Sequence, residues 1–299
     1  MVKAILAVDI GGTSIKFAKW TDNQLIQLGS EKTPDSLAAF YQLLVQKKDQ
    51  LAAQMQVIGV AISSPGAVNK KSGVIEGMSA VPYLHGFPIE PELKKRLALP
   101  VSIENDANCA GLAESLMGAG RDADTMISLV IGSGVGGAVI IDHHIWHGAH
   151  LFGGEFGYMV MDPAVGATLS NLASPVNQAR LFSQEIGRDV SGKEMFELAE
   201  KGDSLAQKYV DRIVTALAQA AYNLQNSLDV DKIVLGGAVS ANPHLLPLID
   251  AKIDMLQRKV DAPGLHPSIV VGKYRNQANQ MGAVLDFCQS RSLAINEIK

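Results

Sequence analysis

An apolar run from Ile5 to Val8 stops at Asp9 and two glycines, Gly11 and Gly12, and a strand-like stretch resumes from Ile15 to Trp20. Runs this short, bounded by glycine, fit strands better than helices, so residues 5–20 are predicted to form a hairpin, with a third strand near Leu25. Asp35 is the predicted cap of a helix reaching about Ala53, and Val57 to Ile62 reads as a buried strand ending at Ser63-Ser64-Pro65-Gly66. Pro100 introduces a further strand, Val101 to Ile103, and Glu104-Asn105-Asp106-Ala107-Asn108 then leads into an alanine-rich helix through Met117. The acidic residues therefore fall at a strand-to-helix turn.

The order begins again at Thr125, with a strand to Ile131, a glycine turn, a strand from Val135 to Ile141 and less regular sequence through about Ser174. Between Ser204 and Leu228, residues Leu205, Tyr209, Ile213, Leu217, Ala221 and Leu224 recur at spacings of four and three, the apolar stripe of a helix packed on a sheet. Ile233 to Leu235 is the next strand, broken by Gly236-Gly237. Pro243 opens another helix, and Ile269 to Val271 is a last strand before a terminal helix from about Gln277. Two halves that start alike predict two α/β domains, 1–118 and 119–276, with the helix of about 277–299 packing back on the first. No linker rich in Pro, Gly or Ser separates them, and the boundary is placed near 118–121.

Composition narrows the classes. A chain of 299 residues suffices for two domains of about 150 residues each. With 47% apolar and 19% charged residues it has the makings of folded cores. A formal net charge of -4, with no basic run longer than Lys94-Lys95-Arg96, gives no electrostatic footprint for nucleic acid. Cys109 and Cys288 lie far apart and form no Cys-x-x-Cys pair, so a disulfide framework and a thiolate zinc site are both excluded and a reducing, cytoplasmic setting is expected. The amino-terminal apolar stretch meets Asp9 at once and has no cleavage site, so no signal peptide is expected. The tract from Met126 to Ile141 is short of the ~20 residues of a membrane span and is interrupted by glycines.

Three glycine elements compete for a phosphate. Gly132-Ser133-Gly134-Val135-Gly136-Gly137 matches G-x-G-x-x-G, and Glu155 follows at a suggestive distance. A dinucleotide turn must open a helix, however, whereas Ala138 to Ile141 is strand-like and ends at Asp142-His143-His144. The element is a hairpin, which can be ligand-free or can present backbone N–H groups to an anion. Gly187-Arg188-Asp189-Val190-Ser191-Gly192-Lys193-Glu194 follows the Walker A pattern except at Glu194, where the magnesium-binding hydroxyl should stand. Ser191 and Glu194 read instead as a capping box starting a helix from Glu194 to Glu200. Asp9-x-Gly11-Gly12-Thr13 places a carboxylate beside a turn. With the second hairpin it could grip a polyphosphate from two sides, Asp9 ordering the shell of a Mg²⁺ ion; the alternative is two unrelated hairpins. Asp106, likewise, is either a general base or a helix cap.

Taken together, these residues resemble the ROK family (repressors, open reading frames and sugar kinases) of the hexokinase and actin-like ATPase superfamily, across nearly the whole chain. Asp9-Ile10-Gly11-Gly12-Thr13 is similar to its first phosphate loop, Glu104 to Asn108 to its catalytic segment and Gly132 to Gly137 to its second phosphate hairpin. Gly154-Glu155-Phe156-Gly157 is similar to its sugar-contacting turn, and Leu235-Gly236-Gly237 to its adenosine-side loop. The resemblance implies a two-domain actin-like ATPase (ribonuclease H-like) α/β fold, with duplicated β-β-β-α-β-α-β-α halves around a cleft that closes on the substrates. It implies transfer of the γ-phosphoryl group of ATP to a hexose hydroxyl, the 6-OH, as in a glucokinase; N-acetylmannosamine, fructose or a glucoside are the alternative acceptors. Asp106 would be the general base, with Asn105, Glu155, Gly66, His150 and Ser170 at the sugar. Asp9, Gly11, Gly12, Thr13, Gly132, Ser133, Gly134, Gly136, Gly236 and Gly237 would hold ATP, Asp9 also serving Mg²⁺ through water. A homodimer is implied.

The chain departs from the family pattern at several positions. Tyr158 stands where the family has a zinc-binding His, and the loop from Pro163 to Ser174 has no cysteine, so no structural zinc is expected. Ser170 replaces a Glu that contacts the sugar near its anomeric carbon, and Ala80 replaces an Asn, which points to a different or larger sugar. His143, His144, His147 and His150 offer a substitute metal cluster, but no helical register converges them; solvated or pocket-lining histidines are the other reading. Two further classes compete. A transcriptional repressor needs a helix-turn-helix before the first hairpin, and with eight residues preceding Asp9 that class is not expected. A non-catalytic sugar sensor would fit the losses at Ser170 and Ala80 but not the retention of Asp9 and Asp106.

Overall fold

The computed structural model describes residues 2–260 and 265–298. Met1, residues 261–264 and Lys299, which the predicted domain bounds include, lie outside the described residues. The chain divides into two units, the first made of residues up to Leu116, His147–Phe152 and residues from Gln277, the second of Met117–Trp146 and Gly153–Asn276. The division falls at Leu116/Met117, and the short segment His147–Phe152 groups with the first unit.

In the first unit, β1 (Lys3–Ile10), β2 (Ser14–Thr21) and β3 (Gln24–Lys32) form an antiparallel meander. Helix α1 (Leu37–Ala52) leads to β4 (Gln56–Ser64), which pairs parallel with β1. A small hairpin of β5 (Ala67–Asn69) and β6 (Val74–Glu76) precedes α2 (Ile89–Leu97), β7 (Val101–Asn105) and α3 (Asp106–Met117). The sheet order is β3-β2-β1-β4-β7. β1 is buried on both faces, as its continuous apolar run requires. Ala4, Leu6, Val8 and Ile10 join Phe40, Tyr41 and Leu44 of α1 in one core.

The second unit repeats the plan. β8 (Thr125–Ile131), β9 (Val135–Ile141) and β10 (His144–Ile145) form the meander, followed by the hairpin of β11 (Val160–Asp162) and β12 (Ala167–Thr168). Helices α4 (Leu169–Ala173), α5 (Pro175–Ile186), α6 (Gly192–Glu200) and α7 (Ser204–Leu228) come before β13 (Lys232–Gly236), α8 (Leu245–Val260) and β14 (Ile269–Val271). The order β10-β9-β8-β13-β14, with β13 parallel to both β8 and β14, matches the first sheet strand for strand. The duplicated α/β architecture read from the sequence is therefore present. The predicted stripe of α7 faces the core: Tyr209, Ile213, Leu217, Ala221 and Leu224 pack with Ile127, Leu129 and Ile131 of β8. No helix among the described residues is long and apolar enough to cross a membrane.

Several local expectations are corrected. The cap of α1 is Ser36, whose Oγ accepts the Ala39 N–H at 3.3 Å, while Asp35 is exposed and pairs with Lys32. Residues 142–174 carry short strands and α4, and α5 follows directly; its cap, Ser174, and the Pro175 after it are an N-terminal signal that the sequence reading passed over. Ser191 caps α6 as predicted, but the helix begins at Gly192, and Glu194 turns to Arg188 instead of completing a box. Helix α8 begins at Leu245 and not at Pro243.

The terminal helix α9 (Ala278–Gln289) ends well before residue 299 and packs on β1, β4 and β7 of the first unit. Its Gly282 lies against the backbone of α3, where an added Cβ would run into the Cys109 carbonyl. Backbones this close admit no methyl without moving a helix. Gly282→Ala is therefore expected to destabilise the protein by about 2 kcal/mol, within the range of overpacked cores and despite the better helix propensity of Ala. A thermal unfolding midpoint equal to wild type would contradict this.

Candidate active site

In each sheet the parallel strands end on one edge, where ligands of open α/β sheets bind. In the first unit β1, β4 and β7 deliver Asp9, Ser63-Ser64 and Asn105 to that edge, Asp9 in register with Ser63 and Ser64 with Asn105. The Asp9 carboxylate is nearly buried: Oδ1 accepts from Ser63 Oγ at 3.1 Å and from Asn279 Nδ2 at 3.0 Å, and Oδ2 faces Lys16 Nζ at 3.3 Å. The turn beyond it is held by Gly11 N–H to Ser14 O at 3.0 Å and by Thr33 Oγ1 to Gly11 O at 2.6 Å. A Cβ on Gly12 would meet the Ala80 side chain at 2.5 Å, so the phosphate turn and residue 80 are immediate neighbours.

At the end of β7 the two acidic alternatives separate. Asn105 caps α3: its Oδ1 accepts the Asn108 N–H at 3.0 Å, and its Nδ2 donates to Gly66 O at 3.1 Å. Asp106, the first helical residue, is half-buried and accepts the Ala107 N–H at 2.8 Å. Capping thus falls to Asn105, and Asp106 is not needed for it. Gly66 holds φ at +96°, a conformation suited to glycine, with His85 and Ile75 filling the space a side chain would need.

Beneath this turn is a buried charge cluster that the sequence reading missed. Glu104 is fully buried; Oε1 accepts the Asn105 N–H at 2.8 Å and Asn108 Nδ2 at 3.0 Å, and Oε2 meets His147 Nε2 at 2.9 Å. Lys70 Nζ lies 3.6 Å from Glu104 Oε2 and bonds both oxygens of Asp286, at 2.9 and 2.7 Å, and Ile103 O at 2.8 Å. Burial by itself would raise the carboxyl of Glu104, but the His147 hydrogen bond and the Lys70 charge outweigh it and hold that carboxyl below its usual range. For Asp286 burial wins and the carboxyl is held above its usual range. A charge inside an apolar helical run, as Asp286 is within Gly282 to Cys288, is the signal that would have flagged it.

The second unit collects the other glycine elements. The turn 132–134 joins β8 to β9, closed by Gly132 N–H to Gly134 O at 2.8 Å. Ser174 Oγ donates to Gly132 O at 2.8 Å and contacts Ser133 O at 3.0 Å. Ser170 Oγ accepts the Val135 N–H at 3.0 Å. The predicted sugar residue Ser170 is thus directed at the hairpin backbone. Gly154 and Gly137 abut: a Cβ on Gly154 would fall 2.7 Å from Gly137 O, so the Glu155 turn is seated on β9. Glu155 is half-buried, and burial pushes its carboxyl up. Gly236 ends β13, and Gly237 (φ +86°) lies against the backbone of Ile131, bringing the third glycine loop to the base of the hairpin.

Among the histidines, His144 Nδ1 contacts Asp142 O and His147 meets Glu104, so these two have separate partners. His150 is exposed in the segment His147–Phe152. The chemistry of Asp9 fits a Mg²⁺ ion held through water: its carboxylate oxygens already engage Ser63, Asn279 and Lys16, and a carboxylate so fixed could order metal waters. Asn279, which shares Asp9, lies 270 positions away in sequence and was missed.

The model of the ROK family matches residues 5–289. A β-glucoside kinase of Listeria monocytogenes is 32% identical over 298 residues, covering 96% of this chain and 98% of the relative. A glucokinase of Halalkalibacterium halodurans is 29% identical over 267 residues, covering 79% and 80%. Among solved structures, that of a ROK family protein from Streptococcus pneumoniae in complex with sucrose is similar at a TM-score of 0.88 and 37% identity, covering 97% of this chain and 99% of that one.

Proposed function

The chain belongs to the ROK family, and from that premise we propose that it is an ATP- and Mg²⁺-dependent sugar kinase phosphorylating the 6-hydroxyl of a glucosyl unit carried as a β-glucoside. The observation that carries the reading is the placement of Asp106: a carboxylate on the first residue of α3, just past the end of the parallel edge strand β7, relieved of helix capping by Asn105. A sugar hydroxyl is a poor nucleophile, and phosphoryl transfer asks mainly for alignment, charge neutralisation and one proton acceptor.

In this mechanism Asp106 accepts the hydroxyl proton as the sugar oxygen bonds to the γ-phosphorus and the bond from that phosphorus to the bridging oxygen of ADP breaks. Backbone N–H groups of Gly11, Gly12 and Thr13 and of Gly132, Ser133, Gly134 and Gly136 receive the phosphates, and Gly236 and Gly237 the adenosine side. Asp9 would hold Mg²⁺ through its water shell, and the ion, when bound, would supply charge neutralisation for the phosphates. In this reading Asn105, Glu155 and Gly66 would orient the sugar hydroxyls, with His150 as a further sugar contact.

The β-glucoside acceptor is supported by the Listeria relative and by Ser170. At the position where the resemblance puts a Glu near the anomeric carbon, this chain has a short side chain turned onto the Val135 N–H, so no carboxylate there would oppose an aglycone. A cytoplasmic setting fits the two buried free thiols; a homodimer is carried by the resemblance alone. The test is sugar-dependent ADP release over glucose, N-acetylmannosamine, fructose, cellobiose and aryl β-glucosides. The expected result is a higher kcat/KM for β-glucosides than for free hexoses. A free hexose preferred over every glucoside would overturn the acceptor, and no sugar-dependent release from any of them would overturn the kinase.

A further inference from the structure

We infer that His147 is a positioning residue for the proposed transfer, holding the buried carboxylate of Glu104 and, through it, the turn that carries Asn105 and Asp106. The inference rests on the reading of Asp106 as the base. It uses a histidine that neither the sequence motifs nor the proposed chemistry absorbed.

The two oxygens of Glu104 divide the work. Oε1 holds the turn, through the Asn105 N–H and the Asn108 amide, while Oε2 faces His147 at 2.9 Å and Lys70 at 3.6 Å. Lys70 is committed elsewhere, to both oxygens of Asp286 and to Ile103 O. Glu104 Oε2 therefore shares Lys70 with Asp286, and its partner at hydrogen-bond distance is His147, which in its imidazolium form brings the matching positive charge. Of the other titratable neighbours, Arg291 interacts with Asp286 and Asp106 with Cys109, whose thiol burial pushes well above the usual range, reinforced by Glu104 and Asp286 and opposed by Lys70. Without the imidazolium the fully buried Glu104 would keep only Lys70 at 3.6 Å, itself committed to Asp286, to offset its charge, which costs more than a lost surface pair.

The imidazole is well placed to titrate. Its side chain is 28% exposed, enough for proton exchange with solvent, and the neighbouring Trp146 N–H is fixed to Val139 O at 2.9 Å. His147 begins the segment His147–Phe152, the only stretch between Met117 and Asn276 that groups with the first unit; the Glu155 turn follows it in the chain. The hydrogen bond donated to Glu104 holds the imidazole above its ordinary value, burial opposing. A raised value means that the stabilisation is fully present below the ordinary histidine range and is lost as pH rises through the raised value. The turn that carries Asp106 should therefore lose its anchor on the alkaline side.

The test pairs two measurements on the full chain. Histidine ring titration by NMR, with His147→Gln identifying the resonance, should place His147 above the ordinary imidazole range. Sugar-dependent turnover of wild type should fall on the alkaline side with the same midpoint. His147→Gln, which keeps a donor but not the charge, should lower kcat about 10- to 100-fold, leave KM for ATP within about twofold and remove that limb. A residue that merely supports the fold would lower the melting temperature and leave the limb in place. A His147 that titrates at or below the ordinary value, or an alkaline limb unchanged in His147→Gln, overturns the inference. No turnover in wild type with any sugar would overturn the kinase reading instead, and the ring titration would still decide whether His147 holds Glu104.

Discussion

Asp106→Asn should lower turnover by about 10²- to 10⁴-fold, the usual worth of a positioned general base, while sugar affinity changes by no more than a few-fold. Asn keeps the size of the side chain and an oxygen able to accept the Ala107 N–H, which the wild-type carboxylate takes at 2.8 Å. The cap of α3 is supplied by Asn105 and survives the change. The variant should therefore fold, bind sugar and fail at the step in which the hydroxyl loses its proton. Steady-state turnover, calorimetric sugar binding and the melting temperature, measured together, check this; turnover within threefold of wild type would remove Asp106 from the role of base.

Lys70→Met should destabilise the first unit by about 3 kcal/mol, the lower end for breaking a buried ion pair. The lower end applies because the Lys70 side chain is 27% exposed and water can partly replace it. Methionine keeps the apolar stem but leaves Asp286 without its two hydrogen bonds and Glu104 with His147 as its remaining cation. Adding Asp286→Asn should recover part of the loss, since it removes one of the stranded charges. Urea unfolding of the two variants beside wild type measures both effects. An unchanged midpoint for Lys70→Met would mean that the pair contributes nothing.

The portions of the site that were legible are those whose chemistry is local. Asp9 with Gly11-Gly12, Asn105-Asp106 and the hairpin of 132–137 could be located because a strand, a glycine and a polar residue at its end leave a contiguous signature. The Walker-like stretch could be dismissed on equally local grounds, and Ser191 does cap α6. What local pattern could not supply was partnership. Ser170 was assigned to a sugar from its position in a motif, yet its hydroxyl meets a backbone N–H 35 residues away. Asp106 could not be told from a cap until Asn105 was seen bonding the Asn108 N–H.

The sequence by itself determined the main strands of both sheets and the long helices α1, α3 and α7, the repetition of that plan in two halves and the positions of the glycine turns. Each of these is set by hydrophobic period and backbone freedom over a few residues. Only the tertiary structure decided that Lys70, Glu104, His147 and Asp286 share one buried site, and that Asn279 reaches Asp9. Charges come together at such separations because strand order and helix packing bring their backbones close, and burial then forces them to find one another. No window of sequence carries that information.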